Sequence, residues 1–397
     1  MNPVSDRLAS LSPSETLAMS QKSNELKAKG IDVINMSVGE PDFFTPDHIK
    51  AAAKKAVDDN FSFYSPVPGY PALRNAIVTK LKQENGLAYT PEQIVCSNGA
   101  KQSVCNVLLC IIGQGDEVIV PAPYWVSYVE MVKLAEGTNV IVSAGIDQDF
   151  KITPAQLEAA ITPKTKALIL CSPSNPTGSV YTRAELKGLA DVLAKYPNVI
   201  VISDEIYEHI NYIGSHASIA EFEAIRDRVV IVNGVSKAYA MTGWRIGWIA
   251  APQWIASACN KLQGQYTSGP CSVSQKAAEA AYTGPQQPVA DMRVAFERRK
   301  NLIVSLAREI PGLNTAMPQG AFYIFPECHS YFGKSFNGKV IKDAGELAMY
   351  LLEEGHVACV GGAAFGAPNC LRFSYATSDE NITEAMRRVK AALANLQ

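Results

Sequence analysis

Apolar positions along the chain follow two rhythms. Short runs that are mostly apolar on both sides fall at 94–96, 117–120, 167–170, 199–203, 229–232 and 246–250. Such runs predict strands covered by helices on both faces. Between several of them the spacing becomes helical, with Leu186, Leu189, Ala190 and Leu193 at i, i+3, i+4 and i+7. Strand and helix alternating through the middle of the chain predict an α/β domain with a mostly parallel central sheet.

Helix starts are signalled by Thr-Pro at 45–46, 90–91, 153–154 and 162–163. Threonine supplies a capping oxygen, and proline suits the first helical position, where its missing N–H would be unpaired anyway. Thr90 with Gln93, Thr153 with Gln156 and Thr182 with Glu185 have the spacing of a capping box. The last third differs. A polar-faced helix is predicted over 287–309, and a terminal helix after Ser378 carries Ile382, Met386, Val389, Leu393 and Leu396 on one stripe. The expected division is a large α/β domain over 48–290 and a smaller α+β domain built from 1–47 and 291–397.

A chain of 397 residues suits two to three domains, and 47% apolar with 19% charged residues is ordinary globular composition. The net charge of −2, from 36 basic and 38 acidic side chains, gives no global reason to bind nucleic acid or an anionic membrane. Nine cysteines, an odd number with no CxxC and with Cys105 and Cys110 inside an apolar run, read as buried free thiols in a reducing compartment. The opening residues lack a basic head followed by an apolar stretch, and no apolar run approaches the roughly 18 residues of a membrane helix, so a cytoplasmic protein is expected. The five histidines are scattered without HExxH, and no GxGxxG follows a strand, which disfavours a metal hydrolase and a nicotinamide enzyme.

Ligands in open α/β sheets bind beyond the carboxyl ends of the strands, and the informative residues lie there. After 94–96 come Gly99, Ala100 and Lys101, either plain turn residues or a helix start whose N–H groups approach a phosphate. After 117–120 comes Trp125, a core residue or a stacking platform. After 167–170 comes Asn175-Pro176-Thr177-Gly178, a turn whose asparagine amide is also able to donate to a phenolate oxygen. After 199–203 comes Asp204, costly at the end of a buried strand unless paired, for instance with a protonated pyridine nitrogen; Tyr207 follows within reach of the same ring's oxygen. After 229–232 come Ser236 and Lys237, then Arg245. Ser236 and Arg245 suit a phosphate, and Lys237 suits an imine. Taken together they supply what pyridoxal 5'-phosphate requires.

With these marks the chain resembles the fold-type I pyridoxal-phosphate transferases, specifically the class I and II aminotransferases. The resemblance runs from Leu11 into the C-terminal helix. It rests on Asn175-Pro176-Thr177-Gly178, Asp204-Glu205-Ile206-Tyr207, Ser236-Lys237 and Gly243-Trp244-Arg245-Ile246-Gly247. The segments from Met36 to Pro46 and from Tyr64 to Tyr70 resemble the bacterial aspartate aminotransferase branch, the Ib subgroup. The resemblance implies a cofactor held as a Schiff base on Lys237, with Asp204 at the ring nitrogen, Asn175 and Tyr207 at the ring oxygen and Trp125 stacked on the ring. Gly99, Ala100, Lys101, Ser236 and Arg245 would hold the phosphate. Tyr64 would reach the phosphate of a neighbouring subunit, making a homodimer with shared sites. Arg372 would grip the substrate α-carboxylate, with Gly39 beside it. Lys101, unless it is only a solvated helix-start lysine, would meet a distal carboxylate. The implied activity is ping-pong transfer of an amino group from an L-amino acid, aspartate first, to a 2-oxo acid, 2-oxoglutarate first. Rival readings are an aromatic or prephenate aminotransferase, a carbon–sulfur β-lyase, and a regulatory protein on the same fold.

Overall fold

The computed structural model describes residues 4–397. After the two-residue strand β1 (Ile34–Asn35), the chain forms β2 (Ile94–Ser97), β3 (Glu117–Ala122), β4 (Thr138–Ser143), β5 (Thr165–Cys171), β6 (Ile200–Asp204), β7 (Val229–Gly234) and β8 (Gly247–Ala250). Strands β2 to β8 make one seven-stranded sheet in the order β2-β8-β7-β6-β5-β3-β4. The neighbours from β4 to β7 run parallel, while β8 is antiparallel to both β7 and β2. The reversal of β8 brings the residues entering it, Arg245 among them, to the edge where the other strands end, with Gly247 opposite Gly234 and Ser97.

Alternate residues of each strand feed two separate cores. In β7, Val229 and Ile231 join a cluster with Ile49, Leu73, Ile77 and Ala277 from helices Asp47–Asp58, Pro71–Asn85 and Ser272–Thr283. Val230 and Val232 join another with Val104, Leu108, Tyr128 and Ile255 from helices Ala100–Ile111, Ser127–Leu134 and Gln253–Tyr266. Helices on both faces are why the strands lack polar alternation. The exception is β4, absent from the predicted strands. It lies at the sheet edge, with residues that range only from exposed to half-buried, so a search for runs apolar on both sides passes over it.

The later strands are β9 (Tyr323–Ile324), β10 (Ser335–Phe336), β11 (Lys339–Val340), β12 (Val357–Ala358), β13 (Val360–Gly361) and β14 (Leu371–Ser374). β13, β14 and β9 form an antiparallel sheet, β1 pairs in parallel with β12, and β10 pairs with β11. β9, β12 and β14 share a core with Met19, Ile34 and Met36 and with the inner faces of helices Gln287–Arg308, Ala344–Glu353 and Asp379–Ala394. Helix Gln287–Arg308 passes from one core to another along its length: Val289 packs with the sheet, Met292 and Phe296 with the C-terminal elements.

The helix-start signals divide. Thr153 and Thr182 cap helices Pro154–Ala160 and Arg183–Leu193 in complete capping boxes, and Leu186, Leu189, Ala190 and Leu193 are all buried as the spacing predicts. At Thr45-Pro46 the proline is itself the N-cap, and the Thr45 hydroxyl donates to the Ala240 carbonyl instead. Thr90-Pro91 opens a single 3-10 turn, and Thr162-Pro163 opens no helix: the Thr162 N–H donates to Thr165 and the chain enters β5. In both, the apolar strand begins before a helix has room to form. All nine cysteines are free, but Cys105, Cys110 and Cys171 are only half-buried and Cys271, at the cap of helix Ser272–Thr283, is exposed. Among the described residues, no helix is long and apolar enough to cross a membrane.

A layer of buried charge lies under the end of β6. Lys80, on helix Pro71–Asn85, makes an ion pair with Glu208, and both side chains are almost fully buried. Asn85 hydrogen-bonds to both. Beside this pair, Glu205 accepts from Ser203 and Ser218 and contacts His216 at 2.9 Å. His209 likewise meets a carboxylate, that of Glu84. Burial opposes the charge on Glu208, but the Lys80 ammonium beside it helps to hold the carboxyl well below the usual range.

Candidate active site

The carboxyl ends of β5, β6 and β7 and the start of helix Ala100–Ile111 surround a cavity of about 390 Å³. Its lining includes Ala100, Lys101, Trp125, Asn175, Asp204, Tyr207, Ser236, Lys237, Arg245 and Arg372, together with Gly39. Residues spread over more than 330 positions therefore converge on one space: most end or follow a strand or open a helix at one edge of the large sheet, while Gly39 and Arg372 come from the segment after β1 and from β14. A larger cleft of about 950 Å³ lies alongside and shares Ser14, Val126 and Ser127, but it is lined by mixed charges such as Lys22, Glu130 and Asp343.

Lys237 is half-buried in the cavity wall, its Nζ donating to the Gly39 carbonyl at 2.6 Å. Burial, aided by the positive charges of Arg372 and Arg245, pulls its pKa down to about 8 despite the opposing field of Glu40. At neutral pH roughly a tenth of such a lysine is the free amine, against roughly one part in three thousand for an ordinary one. The sign is set by loss of a proton: the nucleophilic fraction rises as pH passes through about 8. Acylation of Lys237 in the cofactor-free protein by a small amine-reactive acylating reagent, followed by peptide mass spectrometry, is expected to be half-maximal near that pH, while ordinary lysines continue to gain reactivity beyond pH 10. Reactivity of Lys237 that tracks the ordinary lysines would contradict this.

Asp204 is the last residue of β6 rather than the first beyond it, and only 4% of it is exposed. Its Oδ2 accepts from the Tyr128 hydroxyl at 2.6 Å and its Oδ1 from the Ile206 N–H at 3.2 Å. Burial pushes its pKa up to about 6, and the two hydrogen bonds restrain the rise. Tyr207 is buried with its hydroxyl 2.8 Å from that of Tyr323. Trp125 is half-buried, edge-on to Tyr128 at 5.3 Å, with the Lys101 ammonium 5.0 Å from its ring centre. Lys101 is exposed toward the cavity mouth, and partial burial near Arg245 lowers its pKa.

Arg372, on β14, is 2% exposed. It donates to Asn175 Oδ1 at 2.9 Å and to the Ser37 carbonyl at 2.5 Å, and its guanidinium lies 4.7 Å and 4.8 Å from the ring centres of Tyr323 and Phe365. Its Nε is buried without a partner. Since Asn175 uses its oxygen for Arg372, its amide N–H₂ remains for another acceptor. Arg245 has a left-handed backbone with φ of 57° and donates to the carbonyls of Thr242 and Asn98 at 2.8 and 3.2 Å. Gly99 does not itself line the cavity. It stands behind Arg245, where any Cβ would collide with the guanidinium. Tyr64 lies outside the cavity of its own chain and is 96% exposed.

Three participants escaped the sequence reading. Tyr128 and Tyr323 look like core aromatics, and their partners are 76 and 116 positions away. Glu40 reaches the cavity because Thr242 hydrogen-bonds to it. Only the nearness of Tyr128 to Trp125, one helical turn on, was a usable signal.

Comparisons with known proteins identify the family. The family model described as aminotransferase class I and II matches residues 31–389. An aspartate/prephenate aminotransferase of Cereibacter sphaeroides is 50% identical over 396 residues, covering 99% of each chain. An aspartate aminotransferase of Geobacillus stearothermophilus is 48% identical over 389 residues, covering 97% of this chain and 98% of that one. The crystal structure of the aspartate aminotransferase of Rhizobium meliloti superposes with a TM-score of 0.96 at 41% identity, covering 100% of both chains.

Proposed function

The chain belongs to the class I and II aminotransferases, and from that premise we propose that it moves the amino group of L-aspartate to 2-oxoglutarate with pyridoxal 5'-phosphate held on Lys237. The observation that carries the reading is the placing of a lysine of lowered pKa, a buried aspartate and a buried arginine around one cavity.

The donor set fits the cofactor. Asp204 is a buried carboxyl with two donors and no cation in hydrogen-bond contact, as a partner for a protonated ring nitrogen should be. Ser236, Arg245 and the backbone at Gly99, Ala100 and Lys101 form a cationic and N–H-lined cup for phosphate. When bound, the cofactor supplies a carbonyl to accept the amino group and a ring to delocalise the electron pair left at the α-carbon. Trp125 would cover one face of the ring and keep water from it, and Asn175 and Tyr207 would donate to its oxygen. Arg372 and the Gly39 backbone hold the substrate α-carboxylate, so that the α-hydrogen faces Lys237. Lys237 Nζ, as a neutral amine favoured by its lowered pKa, would take the proton from the α-carbon, hold it as an ammonium and hand it back on the same side of the cavity. Tyr64 completes the phosphate cup of a second copy in a homodimer with shared sites. On the same reading, 48–290 carries the cofactor residues, while 1–47 and 291–397 carry Gly39 and Arg372.

Lys101 at the cavity mouth supports a substrate with a second carboxylate. Prephenate, which the name of the Cereibacter relative includes, is a dicarboxylate too and would use the same two cations as an acceptor. The test is the visible spectrum of the cofactor-loaded protein. L-Aspartate alone is expected to bleach it and 2-oxoglutarate to restore it. Lys101→Ala is expected to raise the KM for aspartate by about tenfold or more and that for an apolar amino acid by less than about twofold. An equal effect on both would refute the distal-carboxylate role.

A further inference from the structure

Tyr323 joins two parts of the site that the proposed mechanism leaves separate. It lies on β9 with no exposed surface. Its hydroxyl is 2.8 Å from the Tyr207 hydroxyl, and its ring faces the Arg372 guanidinium at 4.7 Å. The space it fills is reserved for it. Gly39 sits against the Tyr323 hydroxyl so closely that a Cβ on residue 39 would collide with it. A glycine at 39 is therefore needed for Tyr323 to stand where it does, apart from any contact of the Gly39 backbone with substrate.

We propose that Tyr323 is a positioning residue that donates its proton to Tyr207 and so couples the charge on Arg372 to the hydrogen bond Tyr207 makes in the cavity. The inference rests on the cofactor reading above. A hydroxyl has one proton. If Tyr207 gives its proton to the ring oxygen, its own oxygen accepts, and Tyr323 is the neighbour placed to donate. Donation into Tyr207 polarises that hydroxyl and strengthens what it donates onward. Burial raises the pKa of the Tyr323 hydroxyl, and the Arg372 cation facing its ring opposes that rise, so the charge on Arg372 bears on how readily Tyr323 donates. A substrate carboxylate on Arg372 cancels that cation, weakens the relay and raises the proton affinity of the reacting centre when substrate arrives. Arg372 also holds Asn175 directly, so the tyrosine route carries part of the coupling and Asn175 the rest.

The test titrates the visible absorption of the cofactor-loaded protein against pH, with and without succinate, a dicarboxylate that has no amino group. In the parent protein succinate is expected to move the midpoint upward. Tyr323→Phe should raise the midpoint without succinate by about half a unit or more and shrink the response to succinate by about half. Gly39→Ala, which displaces the Tyr323 hydroxyl, should shift the midpoint in the same direction. In a Tyr207→Phe background, Tyr323→Phe should add nothing. A parent-like midpoint and a parent-like response in Tyr323→Phe would overturn the inference and leave the cofactor reading intact. So would an undiminished extra shift in the Tyr207→Phe background. No visible band in the loaded parent would sink both.

Discussion

Lys237→Ala should lower steady-state turnover of aspartate and 2-oxoglutarate by ~10⁴-fold or more, the upper range for losing a positioned acid–base group, while leaving the fold intact. The side chain faces the cavity and makes one hydrogen bond, to the Gly39 carbonyl, so its removal leaves no closed void in a core. Circular dichroism and the melting temperature should match the parent. The obvious substitute, Lys101, lines the same cavity but is exposed at its mouth and packs over Trp125. If Lys101 carried the chemistry, Lys101→Ala would abolish turnover with every substrate and Lys237→Ala would not. Parent-like turnover in Lys237→Ala removes the assignment.

The second large effect is expected at Arg372. Two charge-assisted hydrogen bonds to a substrate carboxylate are worth about 1.5–3 kcal/mol each, so Arg372→Ala should reduce kcat/KM for α-amino acids by ~10³-fold. Arg372→Lys should recover no more than about tenfold of that, because an ammonium has no planar fork to match a carboxylate. Arg372 also bonds Asn175 and the Ser37 carbonyl, so some stability will be lost as well, and a drop in activity alone would not separate the two causes. An amine substrate without a carboxylate does so. Its slow turnover should be almost unchanged in Arg372→Ala, and a parallel loss would mean that Arg372 only supports the structure.

The chemistry was legible in the sequence where it is local. Lys237 stands beside Ser236 just past an apolar run, and Asp204 puts a charge at the end of another. A lysine or carboxylate in such a place has no cheap structural explanation, so it points to a ligand. Arg372 had no such mark and was found through the family resemblance. Tyr128 and Tyr323 were invisible because a buried tyrosine reads as core, and only the fold reveals which distant group its hydroxyl meets. The central strands were legible because both faces are covered. β4 was missed because its residues are only half-buried to exposed, unlike the other edge strand β2, which is buried throughout, and the two-residue strands β1 and β9 to β13 because they are shorter than any periodic window. The Thr-Pro pairs misled at 162–163, where local capping chemistry lost to the strand next in the chain.

The Lys80–Glu208 pair under β6 bears on how this sequence can drift. Both partners are almost fully buried, so changing either alone strands an uncompensated charge in the interior at a cost of about 3–5 kcal/mol, whereas exchanging both for apolar residues of similar volume is close to neutral. Neither change is tolerable as a first step toward the other. Glu208 directly follows Tyr207, so the barrier protects the segment that carries Asp204 as well. The two positions, 128 apart along the chain, are therefore bound to be inherited or replaced as a unit.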